Sequence, residues 1–239
     1  GIGIAVTGIV NAEKGISVYS PHYKWKDVNL KEILEEEFKI NVFVENDVRS
    51  MALSEKNFGK AKKSKSFIVI NIDNGVGSAL YLNNQLYKGS SNGSGEFGHI
   101  PIEGNDKRCS CGKKGCLETL INDSALEEAY FEGTGDNKSA IEIYKDFYEN
   151  PISNKLVKDV CVALAKGLVP IVNILNPDFI ILEGNINIIK KDVYKLIIKE
   201  LEKRTFGNLS ENLVIESSTF AKESANKGIG SLTVEKIII

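Results

Sequence analysis

The sequence predicts an α/β fold in which helices cover the faces of sheets. Strand-like and helix-like patterns alternate along almost the whole chain instead of segregating into blocks. The run FIVINI (67–72) is apolar but for Asn71, as expected of a buried strand. With 239 residues, 42% of them hydrophobic, there is enough chain for one large domain or two smaller lobes, each with its own core.

In order along the chain, IGIAV (2–6) and ISVYS (16–20) read as strands. His22, Tyr23 and Trp25 fall in an early loop, where they either stack on a ligand or pack edge to edge. Asn29 and Glu32 give LKEILEEEFK (30–39) a start like a capping box. VFVEN (42–46) is the next strand. VRSMALSEKNF (48–58) follows as a helix, with Val48, Met51, Ala52 and Phe58 near helical spacing and Gly59 as its stop. Lys60, Lys62, Lys63 and Lys65 form the densest basic run and read as a solvated loop before FIVINI. GSALYLNNQLY (77–87) alternates about Asn83-Asn84, a hairpin turn. After a Cys-rich loop, helical patterns dominate through KLVKDVCVALAKGLVPIVNIL (155–175), ended by Asn176-Pro177. FIILEG (179–184) is a strand, IIKKDVYKLIIKELEKR (188–204) a helix, LVIESS (213–218) a strand, and the carboxyl end a last helix.

The formal charge of -2 gives these residues no electrostatic reason to bind nucleic acid by neutralising phosphates, so any DNA contact belongs to another segment. No apolar run approaches the roughly 20 residues that span a bilayer, and no signal-peptide pattern opens the chain, so the cytoplasm is expected. The chain starts at Gly1 directly on a strand, which leads to the expectation that a natural amino-terminal portion precedes it.

Three of the four cysteines lie within eight positions, which suits a bound metal in a reducing compartment better than a spaced disulfide framework. His99, Cys109, Cys111 and Cys116 give the pattern H-x9-C-x-C-x4-C, a tetrahedral Zn2+ set. Gly104, Gly112 and Gly115 supply the tight backbone that so short a chelate loop needs. A closed shell of four ligands leaves no position for an activated water, so the zinc is expected to be structural. Cys161, alone in a helical pattern, reads as core. A zinc-bound imidazole keeps an N–H on its other nitrogen, and its orientation is fixed. With Glu96 one turn away, His99 offers a donor beside an acceptor, the basic requirement for gripping vicinal hydroxyls. Glu118, two residues past the last zinc ligand, adds a second acceptor.

EFGHIPIEGNDKRCSCGKKGCLE (96–118) resembles the zinc signature of the ROK family of repressors, open reading frames and sugar kinases. The likeness extends over nearly the whole chain. GIGIAVTGIVN (1–11) resembles a family strand, VENDVRSMALSE (44–55) the family's Asn-Asp segment, NPDFIILEGN (176–185) its adenosine-side loop, and KGIGSLTVEKI (227–237) its closing helix. The resemblance implies an actin-like fold of two α/β lobes around a cleft, here with the first lobe incomplete, and a homodimer. Residues 1–65 would be the remnant of the amino-terminal lobe, closed by helix 222–239. Residues 66–221 would be the larger lobe, carrying the zinc loop 99–116.

By the same resemblance, Asn46, Asp47, Glu96, His99 and Glu118 line a sugar site, and Asp47 is the base in kinases. The start of a helix, where the dipole favours an ionised carboxylate, suits that role. Local sequence alone reads Asn46 and Asp47 equally well as a helix cap. The nucleotide loops depart from the kinase pattern. Asp73-Asn74-Gly75-Val76-Gly77-Ser78-Ala79 stands where family kinases carry a glycine-rich phosphate loop, placing an acid near a triphosphate. Glu183-Gly184-Asn185 stands where they carry paired glycines. Gly75, Gly77 and Gly184 are therefore degenerate nucleotide-loop positions, and Gly75 and Gly77 read more simply as a turn between strands. Arg49 and Ser50 also differ from the small polar pair of the kinases and resemble the xylose-repressor branch. The leading expectation is the sugar-binding and dimerisation region of a repressor whose DNA-binding winged helix-turn-helix lies in an absent amino-terminal domain. The alternative is an ATP-dependent sugar kinase, which would need MgATP.

Overall fold

In the computed structural model, which describes residues 1–238, regular structure begins with β1 (Ile2–Val6). A turn at Thr7-Gly8 leads into β2 (Ile9–Asn11), β3 (Ile16–Ser20) and β4 (Trp25–Asn29), an antiparallel three-stranded sheet. Gly8 has φ +94°, and a Cβ there would lie 2.3 Å from the Tyr19 carbonyl oxygen, so the turn requires glycine. Trp25 opens β4 rather than lying in a loop. The sequence hides this strand because Lys26 and Asp27 face outward and Asp27 adopts φ +52°, which interrupts the alternation. The rings of His22, Tyr23 and Trp25 pack on one another, with successive centroids 4.8 Å apart.

α1 (Leu30–Phe38) is capped by Asn29, whose side chain accepts from the Glu32 N–H at 3.2 Å. β5 (Val42–Asn46) then pairs parallel with β1, Ile2 opposite Val42 and Val6 opposite Asn46. Val6, Val10, Val42 and Val44 form the buried centre here, with Ile2, Ile4, Trp25, Leu30 and Leu34 around it. α2 (Asp47–Asn57) follows at once, so the end of β5 and the start of α2 meet at Asn46-Asp47.

β6 (Phe67–Ile72), β7 (Val76–Leu82) and β8 (Gln85–Tyr87) come next, the last two joined by the expected Asn83-Asn84 turn, with φ +51° and +65°. The helices α3 (Glu118–Ile121), α4 (Asp123–Thr134), α5 (Ala140–Lys145) and α6 (Pro151–Leu175) follow the Cys-rich loop. They lead to β9 (Phe179–Gly184), α7 (Lys190–Glu202), β10 (Val214–Ser217) and α8 (Ser224–Ile238). The larger sheet has the order β10-β9-β6-β7-β8, with β9 and β10 parallel.

The chain divides into two compact units. The first comprises 1–69, 78–95 and the chain from Ser218 on; the second comprises 70–77 and 96–217. The β7–β8 hairpin thus groups with the first unit, whereas the sequence reading placed it with the larger lobe. Within the first unit, α8 crosses α2 closely. A Cβ on Gly228 would lie 1.6 Å from the Ser50 carbonyl oxygen, and the Ser54 and Ser224 hydroxyls meet at 2.9 Å. Glu55, fully buried in α2, accepts from the Lys60 N–H, the Ser218 hydroxyl, and the Thr219 N–H and hydroxyl, tying two loops to the helix. Within the second unit, α6 buries Val157, Cys161, Leu164, Leu168 and Val172 along one face. Among the described residues, no helix is long and apolar enough to cross a membrane.

Candidate functional site

The second unit gathers the Cys-rich loop as its spacing predicts. The ligating atoms of His99, Cys109, Cys111 and Cys116 all lie within 4.8 Å of one another. Cys109 Sγ stands 3.5 Å from His99 Nδ1, and Cys111 Sγ 3.7 Å from Cys116 Sγ. The edges of a tetrahedral Zn2+ shell, from its usual bond lengths, are about 3.6 Å for S···N and about 3.8 Å for S···S. The four cysteines are free thiols, so no disulfide competes for these positions. Three sulfurs and an imidazole with these separations fit Zn2+ and disfavour Mg2+ or Ca2+.

Backbone bonds hold the loop in this form. Ile102 N–H donates to Gly115 O at 2.8 Å, Leu117 N–H to Ile100 O at 2.9 Å, and Cys109 N–H to Lys113 O at 2.8 Å. The glycines singled out from sequence all lie in the left-handed region: Gly104 at φ +78°, Gly112 at +88° and Gly115 at +83°.

Phe97–His99 form one turn of 3₁₀-helix with Glu96 at its start, closed by His99 N–H to Glu96 O at 3.1 Å. Residues three apart eclipse in such a turn, so the two side chains share a side. Glu96 Oε2 is 3.8 Å from His99 Nε2, while His99 Nδ1 faces Cys109. The imidazole thus has one nitrogen toward the sulfurs and the other toward an acid. Gly98 allows this turn to lie against the start of β7, because a Cβ there would come within 2.3 Å of the Val76 carbonyl oxygen. Glu118 has one oxygen accepting from the Val76 N–H at 2.9 Å and the other 3.4 Å from the Ser110 hydroxyl. Its carboxylate is therefore anchored between the Cys-rich loop and the start of β7.

Asn46 and Asp47 belong to the first unit, so the sugar-lining set named from sequence is divided between the two units. Asn46 caps α2, its side-chain oxygen accepting from the Arg49 N–H at 3.0 Å while its amide donates to Gly8 O at 3.0 Å. Asp47 is the first residue of the helix and accepts from the Val48 N–H at 2.9 Å. Burial pushes the Asp47 carboxyl above its ordinary range, outweighing the backbone bond that lowers it. The helix-start argument alone would have held it down.

The degenerate nucleotide loops are knit together within the second unit. Asp73 N–H donates to Gly75 O at 3.0 Å, making the link between β6 and β7 a tight turn that takes in Gly75, whereas Gly77, expected in the same turn, already lies in β7. Asn122 donates to Asn74 O at 2.9 Å, and Asp123 N–H to Asp73 O at 3.1 Å. Asn185 donates to Asp123 Oδ2 at 2.6 Å. Gly184 has φ +112°, and a Cβ there would fall 1.8 Å from the Ile72 carbonyl oxygen. Sequence reasoning missed Asp123. Its signal was present, because Asn122-Asp123 opens α4 as Asn46-Asp47 opens α2, with Asn122 accepting from the Ala125 N–H at 2.8 Å.

Asp123 titrates abnormally. Burial, with the nearby Asp73 and Glu127 carboxylates, raises it from 3.8 to about 6, against the opposing bond from Asn185. A carboxyl whose folded pKa lies above its unfolded value favours the fold while protonated, and that contribution is lost as pH rises from about 4 through about 6. Asp123→Asn, which keeps an acceptor for Asn185, should therefore gain thermal stability over the wild type on going from pH 4.5 to pH 7.5. Melting curves of both proteins across that range check this; a constant difference between them would rule out the titration.

A model of the ROK family matches residues 1–236. The chain belongs to the ROK family. Its relatives include the xylose repressor of Bacillus spizizenii, 32% identical over 243 residues, covering 100% of this chain and 62% of the repressor. The DNA-binding transcriptional dual regulator NagC of Escherichia coli is 28% identical, covering 98% of this chain and 60% of the regulator. Among solved structures, a ROK family transcriptional regulator homologous to the E. coli MLC protein matches with a TM-score of 0.84 at 27% identity, covering 97% of this chain and 63% of that one. A ROK glucokinase from Streptomyces griseus, solved with glucose and AMPPNP, has a TM-score of 0.86 at 21% identity over 96% of this chain and 80% of the enzyme, a likeness of fold. The actin-like α/β fold implied by the sequence is thus the fold of this ROK chain. The chain spans about three fifths of the length of the curated relatives it matches.

Proposed function

We propose that this chain is the sugar-binding and dimerisation region of a sugar-responsive transcriptional repressor, with a structural Zn2+ stiffening one wall of the sugar site. The observation that carries it is the two-sided placement of His99, Nδ1 among the cysteines and Nε2 toward Glu96. His99, Cys109, Cys111 and Cys116 would hold the metal, which supplies rigidity and a fixed tautomer rather than chemistry. His99 then donates, and Glu96 and Glu118 accept, toward sugar hydroxyls; family likeness names Asn46 and Asp47, in the first unit, as further sugar-binding residues. The repressor names among the relatives support the class. DNA contact would fall to chain outside these residues. Sugar acts on such a protein only by binding two of its states unequally.

Titration calorimetry with a panel of pentoses, hexoses and N-acetylated sugars, starting from xylose and N-acetylglucosamine, tests this. One sugar should bind, and Glu96→Ala should weaken it on the order of tenfold to hundredfold, the worth of one charge-assisted hydrogen bond. Binding of no sugar by the folded protein would reject the reading.

The kinase reading is favoured by the place of Asp47 as the first residue of α2, the position that family likeness gives to the base. Against it stand Asp73 at the phosphate turn and the buried Glu183 beside Gly184, both of which would repel MgATP phosphates. An ADP-release assay with MgATP and a panel of sugars should show no turnover. Turnover abolished by Asp47→Asn would reverse the ranking.

A further inference from the structure

The Cys-rich loop runs out and back, and its candidate ligands are spread along both arms. His99 begins the outgoing arm, Cys109 and Cys111 stand at the tip, and Cys116 ends the returning arm. Isolated antiparallel bridges join the arms at Pro101 and Cys116 and again at Arg108 and Lys114. Between these bridges the outgoing arm leaves its partner as a turn, closed by Asn105 N–H to Ile102 O at 3.1 Å, with Gly104 in the left-handed region at φ +78°.

The Asn105 side chain makes this turn more than a surface feature. Glu103, Gly104 and Asp106 around it are exposed, whereas Asn105 is half-buried. Its amide donates to the Cys116 carbonyl at 3.0 Å and to the Thr119 hydroxyl at 3.0 Å, and its oxygen accepts from the Lys107 N–H at 3.2 Å. Both amide donors and the acceptor oxygen are thus committed. Thr119 in turn donates its hydroxyl to the same Cys116 carbonyl at 2.8 Å. The turn also lies hard against the returning arm. A Cβ on Gly115 would fall 2.8 Å from the Asn105 carbonyl oxygen, and Gly115 N–H donates to Lys107 O at 3.0 Å. All of these residues belong to the second unit.

We propose that Asn105 is a positioning residue for the metal: by tying the outgoing arm to the Cys116 carbonyl and the start of α3, it holds Cys116 where the four ligands meet, without touching the ion. This rests on the Zn2+ reading above. A site whose ligands are already in place binds more tightly, because less ordering remains to be done when the ion arrives. Cys109 is fixed from within the tip, by its N–H on Lys113 O at 2.8 Å. Cys116 stands at the far end of the returning arm, and the Asn105 amide adds a bond to it from the opposite arm.

The test compares Asn105→Asp and Asn105→Ala with the wild type in the whole chain. The first keeps an acceptor for the Lys107 N–H, and with it the turn, but loses both donors; the second loses all three bonds. Zn2+ affinity, measured by competition with a chromophoric chelator, should fall on the order of tenfold to hundredfold in both variants. Each variant should therefore lie further below the wild type in melting temperature with metal bound than after its removal, because a weaker site returns less stability on binding. Co2+ in place of Zn2+ should give the wild type the visible bands of a tetrahedral thiolate site, and the variants altered ones. A bond serving only the stability of the loop would lower melting equally with and without metal. That result, or wild-type metal affinity in both variants, overturns the proposal. If the wild type itself takes up no metal, the Zn2+ reading fails and the proposal falls with it.

Discussion

Removal of the proposed Zn2+ should destabilise the second unit as much as a severe core substitution within it. The segment from His99 to Cys116 has few apolar side chains to bury, and its shape depends on three left-handed glycines and a few backbone bonds. Structural zinc contributes about 10–16 kcal/mol in isolated finger peptides. Here the loop also leans on α3 and the start of β7, so part of its order would survive. A loss of about 4–6 kcal/mol is the expected outcome, which for a chain of this size lowers the melting temperature by roughly 10–20 °C. Cys116→Ser should reproduce it, because Cys116 is buried and its sulfur closes the set with Cys111. Elemental analysis should return one zinc per chain. The effect should also reach the proposed sugar wall, since Glu118 is bonded to Ser110 of this loop and His99 is one of the four groups that would hold the metal. Protein that carries no metal, melts at the same temperature with chelator and still binds sugar would refute this arrangement.

The features legible in the sequence are those that a short stretch determines by itself. The Asn83-Asn84 turn was readable because two left-handed residues between alternating strands satisfy a two-residue hairpin. The Cys-rich loop was readable because ligand types and glycine positions are local, and so was the Asn46 cap on α2. What stayed hidden depends on segments far apart in the chain. Glu55 reads as an ordinary polar helix residue, and only the return of Ser218-Thr219 makes it a fully buried acceptor. Arg49 differs from the kinase pattern, but its partners at Asn92 and Ser94 lie in a loop with no periodicity. β4 was missed because charged residues and a positive φ broke the alternation that marks a strand.

The glycines at the degenerate nucleotide loops give the sharpest test of what a family pattern means here. Gly184→Ala should cost about 4 kcal/mol or more, lowering the melting temperature by roughly 10 °C in the absence of any nucleotide. Its φ of +112° with ψ near 180° is a region that glycine alone occupies freely. The added methyl would also fall 1.8 Å from the Ile72 carbonyl oxygen, a backbone atom held in the central sheet that has no room to retreat. Gly75→Ala should behave quite differently. Its φ is not in the left-handed region, and the new Cβ would meet only Glu118 Oε2 at 3.4 Å, so a change within about 1 kcal/mol is expected. If the glycines served phosphate binding, both substitutions should leave the unliganded protein folded and differ only in nucleotide affinity. If Gly184 is held by the close approach of β9 to the end of β6, its replacement is felt without a ligand, whereas replacement of Gly75 is not. Equal tolerance of both substitutions in thermal melts would show that packing does not retain Gly184 and would restore the nucleotide explanation.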